Sequence, residues 1–477
     1  MIRAHPPAAM LRVTPLFRPP LDPGFVPASL WHRAYGALVD ADPSSRPLVL
    51  VLERPDGGVS RHDSRILGAG HPASALNLPC VERLLKFLLW QKGGNRVRIG
   101  GAPELAASLG RIYGPDGARA FDSRFMGEKV YREPFTVSAA APDRLPAERT
   151  FERRLGGHLG GCRIGFDLGG SERKCAALID GRVVFAEDVR WDPYFQSNPG
   201  YHMAEIDHSI RRAAAHLPRI DAIGGSAAGI YVENEVRVAS LFRGVSDDDF
   251  ERHIRRIFFT LQERWGGVPF VVMNDGEVAA LAGAMSLQAR PVLGVSLGTS
   301  LAGGFVTGHG GVTPWLNELA FAPVDYSPDA SVDEWSGDRG CGVQYLSQQG
   351  AARLAERAGF AFSAELGAAE RLSVLRDAVR GGDPRAERVY ESIGVWLGYS
   401  VAHFAAFYDL RDVLLLGGVT SGPGGEQLVR AAERVLDAEF PSIAAVVRLR
   451  MPEETEKRHR QAVAAASLPE PDSVPAG

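Results

Sequence analysis

Cys162-Arg-Ile-Gly-Phe-Asp-Leu-Gly-Gly-Ser-Glu-Arg-Lys-Cys-Ala-Ala-Leu-Ile-Asp-Gly-Arg-Val-Val-Phe185 reads as three strands joined by two tight turns. The first strand ends in Asp167, the turn Gly169-Gly170-Ser171 follows, and the second strand runs from Lys174 to Ile179. Asp180-Gly181 between apolar runs is a type I′ hairpin signal, which brings in the third strand. The Asp-Leu-Gly-Gly-Ser turn offers one carboxylate, backbone free of side chains and a hydroxyl, a set suited to a phosphate and a metal-bound water. Taken by itself, the stretch is equally an ordinary hairpin with a glycine turn.

Further along, Pro291 to Val306 repeats the pattern, two strands about Gly298-Thr299-Ser300, this time without the acid. The repetition suggests two related lobes, each offering backbone N–H groups to phosphates from its own side. Between the two, Met203 to Leu217 has helical spacing, and Ile220 to Val232 reads as a buried strand that breaks into a glycine-rich loop at Gly229. Asp247 to Trp265 reads as a helix whose acidic first turn, Asp247-Asp248-Asp249, satisfies the helix dipole and does not bind metal. Val268 to Met285 is a strand ending in Asn274-Asp275 and passing directly into a helix of small residues. A carboxylate at such a strand end is where open α/β folds place reactive groups, although it can equally satisfy a helix terminus. Asp383 to Leu410 then reads as a long amphipathic helix. Val413 to Gly425 is a strand into a third glycine turn, Gly417-Gly418, whose bare backbone suits a flat base. Helices over Glu426 to Glu439 and Glu453 to Leu468 close the chain.

The bulk properties narrow the class. A chain of 477 residues holds two to three compact units. A net charge of −4, from 53 basic and 57 acidic residues, gives no basic field for nucleic acid and no polybasic block for a membrane surface. Small molecules or protein are the expected partners. Cys80, Cys162, Cys175 and Cys341 lack CxxC spacing and fit reduced, structural thiols. Without a run of about 18 apolar residues or an apolar leader, a soluble cytoplasmic protein is expected. In the first third, the proline-rich residues 1–28 read as an arm or strap. Pro47 to Leu67 reads as a hairpin, Val81 to Gln91 as a helix, and Arg96 to Gly101 as a strand turning into a helix at Pro103. Gly100-Gly101 before that helix is a tight connection more than an anion site. Pro142 to Gly160 reads as a polar linker and the domain boundary, and no helix-turn-helix with a basic recognition helix precedes it.

From about Gly161 to Leu468, the order of these motifs resembles the ROK family of sugar kinases and sugar-responsive regulators, within the actin-like ATPase superfamily. Asp167-Leu-Gly-Gly-Ser171 looks like the first phosphate motif, with Ser in place of the usual Thr. Met273-Asn-Asp-Gly-Glu-Val-Ala-Ala280 looks like the catalytic strand end, and Leu297-Gly-Thr-Ser-Leu-Ala-Gly-Gly304 like the second phosphate motif. Leu397 to Phe404, through Leu416-Gly-Gly418, looks like the adenosine side. The sequence also departs from the family. Gly-Glu-Ile-Gly-His appears as Asn317-Glu-Leu-Ala-Phe321, and the zinc element as Glu334-Trp-Ser-Gly-Asp-Arg-Gly-Cys341. Phe321, Glu334 and Ser336 replace three ligands and only Cys341 remains, too few for a closed tetrahedral site, so no structural zinc is expected. A further sugar-contacting glutamate falls on Val343, unless Gln344 takes its place.

The resemblance implies a two-lobed actin-like ATPase (ribonuclease H-like) α/β fold with an additional N-terminal α/β region. It divides the chain into an extension of unknown role, 1–160, a first lobe, 161–275, joined by the C-terminal helix 453–468, and a second lobe, 276–452. It implies an ATP-dependent carbohydrate kinase with Asp275 as general base. Asp167, Gly169, Gly170, Ser171, Gly298, Thr299 and Ser300 would hold phosphates, with Mg²⁺ on Asp167 through water and the nucleoside against Gly417 and Gly418. Gly229, Asn274, Glu318 and, more weakly, Ser240 would hold a sugar or polyol. The apolar replacements argue against plain glucose. The rival is a catalytically silent sugar or nucleotide sensor of the same fold. A transcriptional regulator fits less well, and neither nucleic acid nor membrane is an expected partner. For the extension, packing on the kinase body, covering the cleft and mediating oligomerisation, as in a homodimer, all stay open.

Overall fold

The computed structural model describes residues 11–152, 155–363, 365–452 and 459–470. The N-terminal region opens with a strap, residues 11–27, laid on the second lobe. Leu21 and Phe25 enter the second lobe's core, and the Leu21 and Val26 N–H groups donate to Ser392 Oγ at 3.1 Å and Asp325 Oδ1 at 2.9 Å. Residues 1–10 of the expected arm lie outside the described residues. Helix α1 (Ala28–Ala41) leads to the hairpin β1 (Arg46–Glu53) and β2 (Val59–Ile66). In its turn Asp56 Oδ1 accepts from Gly58 N–H at 2.7 Å. Helix α2 (Asn77–Lys92), β3 (Arg96–Gly100), α3 (Pro103–Ile112) and β4 (Thr136–Ala140) follow, and the four strands form one sheet in the order β2-β1-β3-β4. Strand β4 lies just ahead of the stretch read as linker.

The next sheet has five strands in the order β11-β8-β5-β6-β7. They are β5 (Cys162–Leu168), β6 (Glu172–Ile179), β7 (Arg182–Arg190), β8 (Ala222–Ala227) and β11 (Phe270–Asn274), with β9 (Ile230–Val232) and β10 (Glu235–Val238) in a separate hairpin. Strands β5 and β8, parallel and buried at every residue, are its centre, as expected where helices cover both faces. Helix α4 (Pro199–Ala214) packs on one side. The helix expected over Asp247–Trp265 is interrupted. Asp247–Asp249 is one capped turn, Phe250–Ile254 a wide turn, and only Ile257–Arg264 is regular. The interruption frees the carbonyl of Arg255 to accept from Val236 N–H of β10 at 2.9 Å. The Asp247–Asp249 turn is capped by Ser246, whose Oγ accepts from Asp249 N–H.

Helix α5 (Asp275–Leu287) crosses to the second four-stranded sheet, ordered β13-β12-β14-β15, with β12 (Val292–Leu297), β13 (Leu301–Val306), β14 (Asp412–Leu416) and β15 (Arg448–Arg450). Helices α6 (Pro384–Phe404) and α7 (Gly422–Glu439) cover it as a pair, and α6 stops one turn and a half before the expected end, where Tyr408 turns inward. Of the closing helix read over 453–468, α8 (Arg460–Ala466) is present, lying on β5, β8 and α5; residues 453–458 lie outside the described residues. No helix among the described residues is long and apolar enough to cross a membrane.

The N-terminal region joins the second lobe through buried charge. Arg83, Lys86 and Arg119 all reach Asp338, at 2.8, 3.2 and 2.6 Å. Lys86 also pairs with Asp122 at 2.9 Å, and Arg119 with Glu82. Three cations thus meet three carboxylates, and Asp338 alone comes from the second lobe. Burial by itself would push Asp338 up, but the three cations outweigh it and hold the carboxyl well below its usual range. Phe321 packs against Trp90 of α2 with ring centroids 4.2 Å apart and planes tilted by 30°. Phe321 and Asp338 thus both anchor the N-terminal region.

Candidate active site

Asp167 is the penultimate residue of β5, and register sets it opposite Lys174 on β6 and Ser226 on β8. Ser226 Oγ donates to Asp167 Oδ1 at 2.7 Å, and Lys174 Nζ lies 3.9 Å from Oδ2. Burial raises this carboxyl, and the serine and lysine offset that only in part. Asn274 ends β11 and caps α5. Its Oδ1 accepts from Gly276 N–H at 2.7 Å, and its Nδ2 donates to Gly229 O at 2.6 Å, so the cap also fixes the glycine loop. Asp275, the first residue of α5, is half-buried. Burial, then the neighbouring Asp167, push it up to about 6, against two backbone N–H groups. The favourable helix N-terminus does not cancel the burial.

Two glycines let the second lobe reach this point. A Cβ on Gly304 would lie 2.2 Å from Gly276 O, and one on Gly276 would lie 2.4 Å from Gly303 O, so β13 runs directly against the start of α5. The loop after β13 then brings in Asn317 and Glu318. Asn317, with φ of 51°, reverses the chain, and Tyr408 Oη donates to its Oδ1 at 2.9 Å. Glu318 is half-buried, and burial, then Asp275, push it up to about 8. Glu277, one turn into α5, is likewise pushed up to about 8 by burial. Tyr231 is raised by burial and by the charge of Asp275, and its hydroxyl donates to Ala228 O at 3.0 Å. Burial thus shifts Asp275, Glu277 and Glu318 together toward their protonated forms.

Gln461 of α8 was not foreseen from the sequence. Its Nε2 donates to Ser226 Oγ at 2.9 Å and to Asp275 O at 3.0 Å, which ties Asp167, Ser226 and Asp275 into one network. The sole sequence signal was a lone amide in an alanine-rich helix. Ser226, equally unforeseen, ends the Gly-Gly-Ser run of β8.

On the far side, the turn Gly298-Thr299-Ser300 is closed by Gly298 N–H donating to Ser300 O at 3.0 Å, with both hydroxyl residues exposed. Gly417 has φ of 93°, and a Cβ there would lie 2.4 Å from Leu297 O, so only glycine fits where β14 leaves the sheet. Beside it is a cavity of about 610 Å³ lined by Leu415 to Gly417, Thr420 to Pro423 and Glu426, large enough for a nucleoside. Gly169 and Gly170 are half-buried and Ser171 exposed. Ser240 opens a short turn beyond β10, and its carbonyl accepts from Arg243 N–H at 3.2 Å. Gln344 is committed to Gln349 and Arg353, at 2.9 and 3.1 Å, and Val343 belongs to the second lobe's core. No three His, Cys, Asp or Glu side chains among the described residues are grouped to hold a metal ion.

Residues 251–467 match the ROK family. The matched segment contains Asp275, Glu318 and the second and third glycine turns, and it begins after Asp167. The fold extends the likeness. A ROK hexokinase from Thermus thermophilus superposes with a TM-score of 0.50 at 21% identity, over 64% of this chain and 96% of the other. A ROK family transcriptional regulator, a homologue of the E. coli MLC protein, gives 0.51 at 17%, over 65% and 78%. Among curated proteins none matches the sequence. The chain has the actin-like ATPase fold of these ROK proteins.

Proposed function

We propose that this ROK-type chain is an ATP-dependent phosphotransferase that phosphorylates a hydroxyl of a sugar or sugar-like polyol. The observation that carries the reading is Asp275, half-buried at a strand end, pushed up to about 6 and set beside a protonated Glu318. A base that titrates just below neutrality is ionised at working pH yet still basic enough to accept a proton from an attacking hydroxyl. Glu318 and Asn274 orient the acceptor, and the Gly229 loop lets its ring approach bare backbone. The turns at Gly169-Gly170-Ser171 and Gly298-Thr299-Ser300 hold phosphate oxygens, and the nucleoside lies in the cavity beside Gly417 and Gly418. Asp167 would hold Mg²⁺ through water, and its repulsion with Asp275 is of the kind a cation relieves. When bound, Mg²⁺ supplies neutralisation of charge on the transferred phosphoryl group.

A pH profile follows from these groups. kcat/KM falls below about 6 as Asp275 is protonated and falls again above about 8 as Glu318 loses its proton. Glu318→Gln removes the upper limb and keeps the lower one, as initial rates of ADP formation across the pH range will show. The same Glu318→Gln change alters stability. A carboxyl whose pKa rises from 4.5 to about 8 on folding makes the native state bind the extra proton, so stability is full below 4.5 and falls as pH rises towards 8. The variant loses that slope, about 1.4 kcal/mol per pH unit at most, in urea melts taken at several pH values.

A sensor of the same fold is the second reading, supported by the loss of Phe321 and Val343 to apolar cores. Incubation with ATP, Mg²⁺ and a panel of sugars and polyols separates the two, since a sensor binds a member of the panel saturably and forms no phosphorylated product.

A further inference from the structure

The loops that flank Asp275 are both fastened to the N-terminal region. On the second-lobe side, the last turn of α2 has carbonyls without intrahelical partners. Those of Trp90 and Gln91 accept the N–H groups of Glu318 and Asn317, each at 3.0 Å. Gln91 Nε2 donates to Phe407 O at 2.9 Å, Trp90 Nε1 to Asp122 at 2.6 Å, and Leu316 packs in the N-terminal core. On the first-lobe side, Ile230, next to Gly229, is buried in that same N-terminal core with Val232 and Val238 packed against it, and Arg132 pairs with Glu251 at 2.8 Å.

We propose that the N-terminal region is a built-in wall of the acceptor site, with the end of α2 positioning Glu318, and that Gln91 is a positioning residue. The wall sets the separation of Gly229 and Glu318 before any ligand arrives, so the acceptor pocket is preformed and its specificity is shared with a region outside the ROK match. The catalytic part of this inference rests on the kinase reading; the structural part does not.

Hydrogen exchange on the full chain, without ligand, tests it. In the wild type, the amides of Asn317 and Glu318 exchange as slowly as those inside α2. Gln91→Ala and, as a second variant, Leu316→Ala each speed exchange at these two amides about tenfold, the scale of one lost hydrogen bond, while β12 is unchanged. A rise in either variant with β12 unchanged supports the wall. Unprotected wild-type amides, or rates unchanged in both variants, overturn it. With any acceptor that is turned over, Gln91→Ala raises the acceptor KM about tenfold and leaves kcat and the ATP KM within about twofold, a split that general loss of structure would not give. If no acceptor is turned over, the kinase reading fails and the exchange result still decides the wall.

Discussion

Asp275→Asn lowers kcat by about 10²- to 10⁴-fold and leaves nucleotide and acceptor binding intact. Asn has the same shape, and its carbonyl oxygen still accepts from Gly276 N–H, a contact now 3.0 Å long, so the cap and the start of α5 persist. Only the ability to take a proton is lost. Removing a carboxylate that burial and Asp167 already disfavour also relieves repulsion, so the variant is no less stable than the parent. Single-turnover rates with calorimetry of both ligands check this. A variant that keeps its rate shows that Asp275 only caps the helix.

Asp338→Ala has the largest expected effect on stability, a loss of about 3–5 kcal/mol in urea unfolding. Its side chain is 5% exposed, and it accepts from Arg83 and pairs with Lys86 and Arg119. Without it, three buried cations face two carboxylates, and one charge is left uncompensated. Removing Arg132 from its pair with Glu251, where both side chains are over 40% exposed, costs about 1 kcal/mol or less. A small effect at Asp338 would mean that the buried charge cluster contributes little to holding the N-terminal region.

Local signals carried the elements that local chemistry determines. The hairpins at β1-β2 and β5-β6-β7 announced themselves through turn residues, and α2, β3 and α3 through periodicity and a proline at the first turn. What was hidden depends on distant partners. Gln461 meets Ser226 across 235 residues, and no pattern near either position encodes that hydrogen bond. The break after Asp249 serves a carbonyl claimed by β10, and Glu318 N–H is held by a backbone carbonyl of α2 whose placement depends on the distant contact of Gln91 with Phe407. Asp275 was legible as a candidate from its place at a strand end, with its role supplied by the family resemblance, and Glu318 only through that resemblance. The geometry adds the burial and mutual repulsion that set their proton affinities. The contacts of Phe321 and Asp338 with the N-terminal region emerge only once Trp90 and the three cations are in place.

The most direct measurement is mass spectrometry of candidate acceptors after incubation with the full chain, ATP and Mg²⁺, with Asp275→Asn in parallel. The expected result is one phosphoryl group added to a sugar or polyol by the parent and none by the variant. ATP left unconsumed beside a saturably bound sugar, or equal product from both proteins, would contradict a phosphotransferase built on Asp275.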